Sequence, residues 1–236
     1  GENLSVVQMV DFMSQEIETD SSRIHLVGFS SGGAMASVLL ATWPDVFESG
    51  AIVAGIPYAC SLYPWEAQAC ISPGIDRGPV EWAHRVFDAF PEYEGPYPRV
   101  SLWQNSRDPV VNVQNLNELL EQWTEVHGVD RVPDETTASG PVTLDRYEDG
   151  QGEAVVETWL IEQAGHGIPI DGDTECGSPS TYVIDSGVCF ATEAAMFFGL
   201  GGDDGDGPFR SAEDLEVASP MGTEQVFSRE ASARPS

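Results

Sequence analysis

Residues 28–32 read Gly28, Phe29, Ser30, Ser31, Gly32, a G-x-S-x-G pentad between an apolar run and a string of small residues that includes Gly33, Ala34 and Ala36. No other feature constrains the chain as strongly. The pattern predicts a buried strand over Arg23–Gly28, a strained turn, and a helix from Gly33 to about Trp43 that Pro44 stops. Glycine on both sides of the serine is expected because the strand and helix backbones approach closely and leave no room for a Cβ. Such a turn holds the Ser30 hydroxyl up at the carboxyl end of a sheet. The helix then aims its amino terminus at that point, and the Ser31 backbone N–H is placed to donate to an oxyanion developing there.

The rest of the pattern alternates. Val6, Val10, Met13 and Ile17 line one face of a helix over Leu4–Glu18, and short apolar runs at Gly50–Ala54 and Arg99–Trp103 read as strands. A helix follows over Val113–Val126, with Leu116, Leu119, Leu120 and Trp123 on one side and Gly128 beyond its end. Strands alternating with helices favour a parallel sheet. Val142–Tyr147 and Ala154–Glu162 are spaced as an antiparallel hairpin, and Ala191–Leu200 as a closing helix. Between Pro57 and Pro98 the periodicity weakens while aromatic residues gather, Tyr58, Tyr63, Trp65 and Trp82 among them, which reads as an excursion over the sheet and the serine site. Residues 1–200 form one domain on this reading. The stretch 201–236 is acidic and poor in apolar residues, and is expected to be a flexible tail or linker.

A serine hydroxyl needs a base within hydrogen-bond reach, itself oriented by a carboxylate, to become a nucleophile. The chain has four histidines. His25 lies within the strand before the pentad, His84 in an amphipathic helix of the excursion, and His127 at a helix end where it can satisfy carbonyls. His166 sits in a glycine-hinged loop, Ala164-Gly165-His166-Gly167, just past a strand, and has no packing role. It is the candidate base. Asp108 is the candidate acid, because it follows the strand Val100–Trp103 by a short turn, Gln104–Arg107, and so projects at the same sheet edge. Asp130, Asp145 and Asp149 fall in a polar loop or the hairpin.

Charge sets outer limits. Thirty-nine acidic residues face ten basic ones, all arginine, for a net charge of −29. A field of that sign repels phosphate backbones and anionic membranes, which excludes nucleic acid and the membrane surface as partners. It also predicts a protein kept hydrated in concentrated salt, with stability and activity rising between low and molar salt; better performance at low salt refutes that expectation. No apolar run approaches the roughly 18 residues of a membrane span. Cys60, Cys70, Cys176 and Cys189 lack the short spacings of zinc or thioredoxin sites, and no metal or cofactor is expected. Of three connectivities, Cys60 with Cys70 and Cys176 with Cys189 close the smallest loops, each worth about 3 kcal/mol by loop entropy. Disulfides imply an oxidising compartment, hence secretion; four free thiols in a cytosolic protein is the competing reading.

The blocks VGFSSGGAMASVLLATWPDVFESGAIVAGIPYAC, PYPRVSLWQNSRDPVV with QWTEVHG, and IEQAGHGIPID before CG together resemble the secreted poly(3-hydroxybutyrate) depolymerases and the feruloyl and acetylxylan esterases, a group of α/β-hydrolases. The likeness covers roughly residues 1–200. It implies a mostly parallel sheet flanked by helices, ester hydrolysis through an acyl-enzyme without a cofactor, and nucleophile, acid and base at Ser30, Asp108 and His166. Substrate contacts are expected from Tyr58, Trp65 and Trp82 of the excursion. Members of that group also carry strands before the nucleophile and an HGC-type loop that supplies a second oxyanion donor. Neither is found here, so the resemblance implies a sheet missing its first strands and leaves Cys60 or Cys70 a possible partner elsewhere. Three functions follow: a serine esterase on polyester or polysaccharide acyl esters, an inactive or polymer-binding fragment, or another reaction such as peptide cleavage on the same scaffold.

Overall fold

The computed structural model describes residues 1–201 except 18 and 64, so the expected tail over 201–236 lies almost wholly outside the described residues. The chain opens with helix α1 (Glu2–Glu16), then strand β1 (His25–Phe29), helix α2 (Ser31–Thr42) and strand β2 (Ser49–Val53). After two short helices, α3 (Ala67–Ile71) and α4 (Pro79–Phe87), come strand β3 (Arg99–Asn105) and helix α5 (Gln114–His127). Strands β4 (Glu135–Ser139), β5 (Val142–Glu148) and β6 (Ala154–Ile161) follow, then β7 (Ile168–Ile170), β8 (Val183–Asp185) and helix α6 (Phe190–Phe197).

Six strands form the main sheet in the order β1-β2-β3-β6-β5-β4. The first four are parallel, β5 pairs antiparallel to β6, and β4 pairs antiparallel to β5. Side chains alternate across this sheet as a pleat requires. Ile52, Val100 and Leu102 point to a core shared with Val7 of α1, Leu39 and Leu40 of α2, and Leu116, Leu119 and Trp123 of α5. Ala51, Val53 and Trp103 point to the other face, where Phe190, Ala194 and Phe197 of α6 close it. Trp103 and Trp159 are register partners on β3 and β6, and their rings stack with centroids 4.4 Å apart. The helix α5 ends as its sequence predicts, with Gly128 in the left-handed conformation at φ 69°.

Three departures from the sequence reading have local causes. Strand β4, ETTAS, is exposed along its whole length and carries no apolar alternation, so nothing in its side chains announces it; it forms by backbone pairing to β5. Gln104 and Asn105 continue β3 instead of turning, since both are buried and paired with β6. The excursion rests on helices rather than over the sheet, with α4 packed on α5 and α2. Two polar residues one turn apart on α5 fasten it: Glu118 accepts the Trp82 indole N–H at 2.8 Å and the Arg77 amide at 3.1 Å, while Gln122 bonds the amide and carbonyl of Tyr58. The expected disulfides, Cys60–Cys70 and Cys176–Cys189, are both present.

His127 does satisfy a carbonyl, its Nε2 bonding Pro98 O at 3.0 Å. Burial pushes its imidazole down from 6.5 to about 4, against the smaller upward pull of that hydrogen bond. The folded state therefore disfavours the charged ring. The stability this contributes is intact above pH 6.5 and is lost as pH falls through about 4. His127→Gln keeps a donor for Pro98 and removes the titration. We expect the midpoint of thermal unfolding to fall less steeply between those pH values in the variant, and equal slopes would count against the assignment.

Candidate active site

The turn between β1 and α2 places Ser30 at φ 57° and ψ −117°, a conformation a non-glycine residue rarely adopts. The Ser30 amide is anchored to Val53 O at 2.9 Å, tying the turn to the end of β2. Gly28 is required here: a Cβ would stand 2.1 Å from Gly32 O and 2.9 Å from the Ala36 Cβ. The same expectation fails for Gly32, where a Cβ would meet nothing within 4 Å. The second close approach belongs to Gly33 instead, whose Cβ would lie 2.9 Å from Val53 O and 3.0 Å from the Gly55 Cα. The first helical bond of α2 runs from the Ala34 amide to Ser30 O, so the amides of Ser31, Gly32 and Gly33 stand outside the helix ladder, with Ser31 adjacent to the serine.

Three side chains from different parts of the chain meet at this end of the sheet. Ser30 Oγ lies 2.9 Å from His166 Nε2, and His166 Nδ1 lies 2.7 Å from Asp108 Oδ2. The Asp108 side chain is fully buried and that of His166 is 9% exposed. The other Asp108 oxygen accepts the amides of Val110 at 2.7 Å and Val111 at 2.9 Å. Two backbone donors fix that carboxylate, so its other oxygen accepts the hydrogen bond of the ring Nδ1–H and Nε2 is left to accept from the Ser30 hydroxyl. The arrangement can move a proton from serine to imidazole while a buried negative charge steadies the product.

The remaining histidines are engaged elsewhere. His25 stacks on Phe198 and bonds Ser49 Oγ at 2.8 Å, and His84 is exposed beside Phe87. Of the expected substrate contacts, Trp82 is corrected: its ring is fully buried with Cys60 and Cys70 and its N–H is spent on Glu118, so it is core. Tyr58 packs half-buried on Ala41, Val86 and Ala89. Trp65 is 75% exposed and stacks on Tyr63 at 4.6 Å. The aromatics that do touch His166 are Phe29, at 4.8 Å between centroids, and Tyr182, edge-on at 6.2 Å. Sequence reasoning passed over both. Phe29 stands at a variable position of the G-x-S-x-G pentad, and Tyr182 reaches the site because Ile168 beside the base loop bonds its carbonyl and β7 pairs with β8. Among the described residues no cluster of three or more histidines, cysteines or carboxylates could hold a metal.

Residues 5–124 match the model of the prolyl oligopeptidase family. The chain belongs to that family. Within this prolyl oligopeptidase family chain, 203 residues are 39% identical to poly(3-hydroxyalkanoate) depolymerase C of Paucimonas lemoignei, covering 85% of the chain and 49% of that protein. A second relative, the acetylxylan esterase of Coprinopsis cinerea, is 33% identical over 72% of the chain and 46% of its own length. The chain thus spans about half the length of these relatives. Among solved structures, an acetyl xylan esterase from Aspergillus awamori superposes with a TM-score of 0.67 at 24% identity, over 84% of this chain and 67% of that one. A PHB depolymerase complexed with an R3HB trimer superposes at 0.55 with 19% identity, over 78% and 53%. These likenesses place the fold among the α/β-hydrolases.

Proposed function

We propose that the chain is a secreted serine ester hydrolase that cleaves carboxylic esters, of a polyester or of acylated polysaccharide, through an acyl-enzyme. The observation that carries this reading is the unbroken hydrogen-bonded path from Ser30 through His166 to the buried Asp108. Ser30 Oγ attacks the ester carbonyl carbon as His166 Nε2 takes its proton. Asp108 holds the imidazolium, and the Ser31 amide donates to the oxyanion. His166 then returns the proton to the departing alcohol oxygen, and a water activated by the same nitrogen releases the acid. Tyr58 and Trp65 remain candidates for holding substrate, with Trp65 better exposed for it. Two disulfides suit an oxidising compartment.

A second reading is favoured by one observation. Tyr63 and Trp65 form a stacked, solvent-facing aromatic pair, 52% and 75% exposed, of the kind that grips a polymer without chemistry. Covalent labelling by a fluorophosphonate separates the two, because only an activated serine reacts. The ester hydrolase reading expects one label per chain, lost in Ser30→Ala. No label on a folded chain, together with retention on polymer particles, would establish the binding reading in its place.

A further inference from the structure

We propose that Asn105 is the positioning residue that holds His166 in reach of both its partners, an inference that rests on the proposed Ser30–His166–Asp108 assembly. Asn105 ends β3 and is 2% exposed. Its Nδ2 donates to Gly165 O at 2.6 Å and to Gly167 O at 2.9 Å, the carbonyls on either side of His166. Its own backbone carbonyl accepts the Asp108 amide at 3.2 Å. One residue therefore grips the base loop with its side chain and the acid turn with its main chain.

The loop needs such a grip. A Cβ at Gly165 would meet nothing within 4 Å, so no packing fixes the chain there, and a glycine before the histidine adds its own conformational freedom. The neighbouring bonds act farther from the ring on either side: the Ser106 amide to Ile161 O, the Arg107 amide to Ala164 O and the Gln163 amide to Ser106 Oγ before it, and the Ile168 amide to Tyr182 O after it. They close the stem and leave the carbonyls flanking His166 to Asn105. The Asn105 Oδ1 is buried with no hydrogen-bond partner. An orphaned buried oxygen costs stability, so the NH₂ end is what this position uses. A side chain chosen for packing alone would carry no such oxygen.

The test compares the 236-residue chain with its Asn105→Ala, Asn105→Asp and Asn105→Ser variants. Three readings are taken: hydrolysis of a p-nitrophenyl ester against pH, the far-downfield proton NMR signal of the His166 Nδ1–H, and the thermal midpoint. Asn105→Ala is expected to lower kcat about 10- to 100-fold with KM within twofold, the scale of a misplaced catalytic group, and to broaden or erase the Nδ1–H signal. Asn105→Asp sets a carboxylate against two carbonyls and beside the ring, so its acid limb should also move to higher pH. Asn105→Ser, keeping one donor, should recover part of both losses. A purely structural role would lower the thermal midpoint and leave the pH profile and the Nδ1–H signal untouched, which would overturn the proposal. If the variants fail to fold, the wild-type Asn105 side-chain NH₂ decides: slow exchange with solvent supports the clamp and rapid exchange overturns it. A wild type without esterase activity whose Nδ1–H signal still depends on Asn105 would refute the function and leave the positioning role standing.

Discussion

Ser30→Ala is expected to lower ester turnover by about 10⁴- to 10⁶-fold, the scale seen when a triad nucleophile is removed. The loss is large because the other parts act only through that oxygen. His166 Nε2, 2.9 Å from Ser30 Oγ, has no proton to take once the hydroxyl is gone, and the Asp108 charge then steadies nothing. Whatever rate survives reports the Ser31 amide and substrate binding alone. The measurement is kcat on a p-nitrophenyl ester for both proteins, with circular dichroism to show that the fold is unchanged. Equal rates would remove Ser30 from the chemistry and with it the proposed function.

Gly28→Ala is the change expected to cost most stability. Its Cβ would lie 2.1 Å from Gly32 O and 2.5 Å from the Gly32 carbonyl carbon, both backbone atoms that no rotamer change can clear. β1 and α2 would have to part. That disturbs the core in which Ala36, Leu39 and Leu40 meet Ile52. We expect a loss above about 4 kcal/mol, the exceptional end of single substitutions, against a total of about 5–15 kcal/mol for an ordinary domain. The readout is the thermal midpoint, or failure to express in soluble form. Gly32→Ala is the control, since nothing lies within 4 Å of its Cβ and the residue is helical. That change should stabilise by up to about 1 kcal/mol through helix propensity. A Gly28 variant as stable as the control would mean that the close approach is relieved at little cost.

The order of strands and helices was legible because apolar spacing and breakers agree along the chain: Pro44 beyond α2, Gly128 beyond α5, and the hairpin of β5 and β6. The convergence of Ser30, His166 and Asp108 was legible too, since each residue sits in a turn past a strand with glycine or proline within two residues of it. What could not be read depends on partners distant in sequence. Trp82 looked like a ligand for substrate because an aromatic in an irregular stretch carries no mark of burial; it is held inside by Glu118, a charged residue that looks like helix surface until its three partners, Trp82, Arg77 and Gln114, are seen. Asn105 looked like part of a polar turn, and only the two carbonyls it reaches across the sheet edge distinguish it from its neighbours. Gly32 shows the opposite error, a motif glycine whose missing Cβ answers no contact in the fold.

The indole pair at the centre of the sheet is locked in place at both ends: the Trp103 N–H goes to Ser101 Oγ at 2.7 Å and the Trp159 N–H to Glu157 Oε1 at 2.8 Å, with the planes 6° from parallel. Two identical chromophores held face to face at that separation share their excited state. Their circular dichroism should show a signed exciton couplet that stands out from the other tryptophans of the six in the chain. Because the two rings ride on adjoining parallel strands, that optical signature vanishes when the strands separate, and so reads the opening of the sheet's middle directly, without any added label.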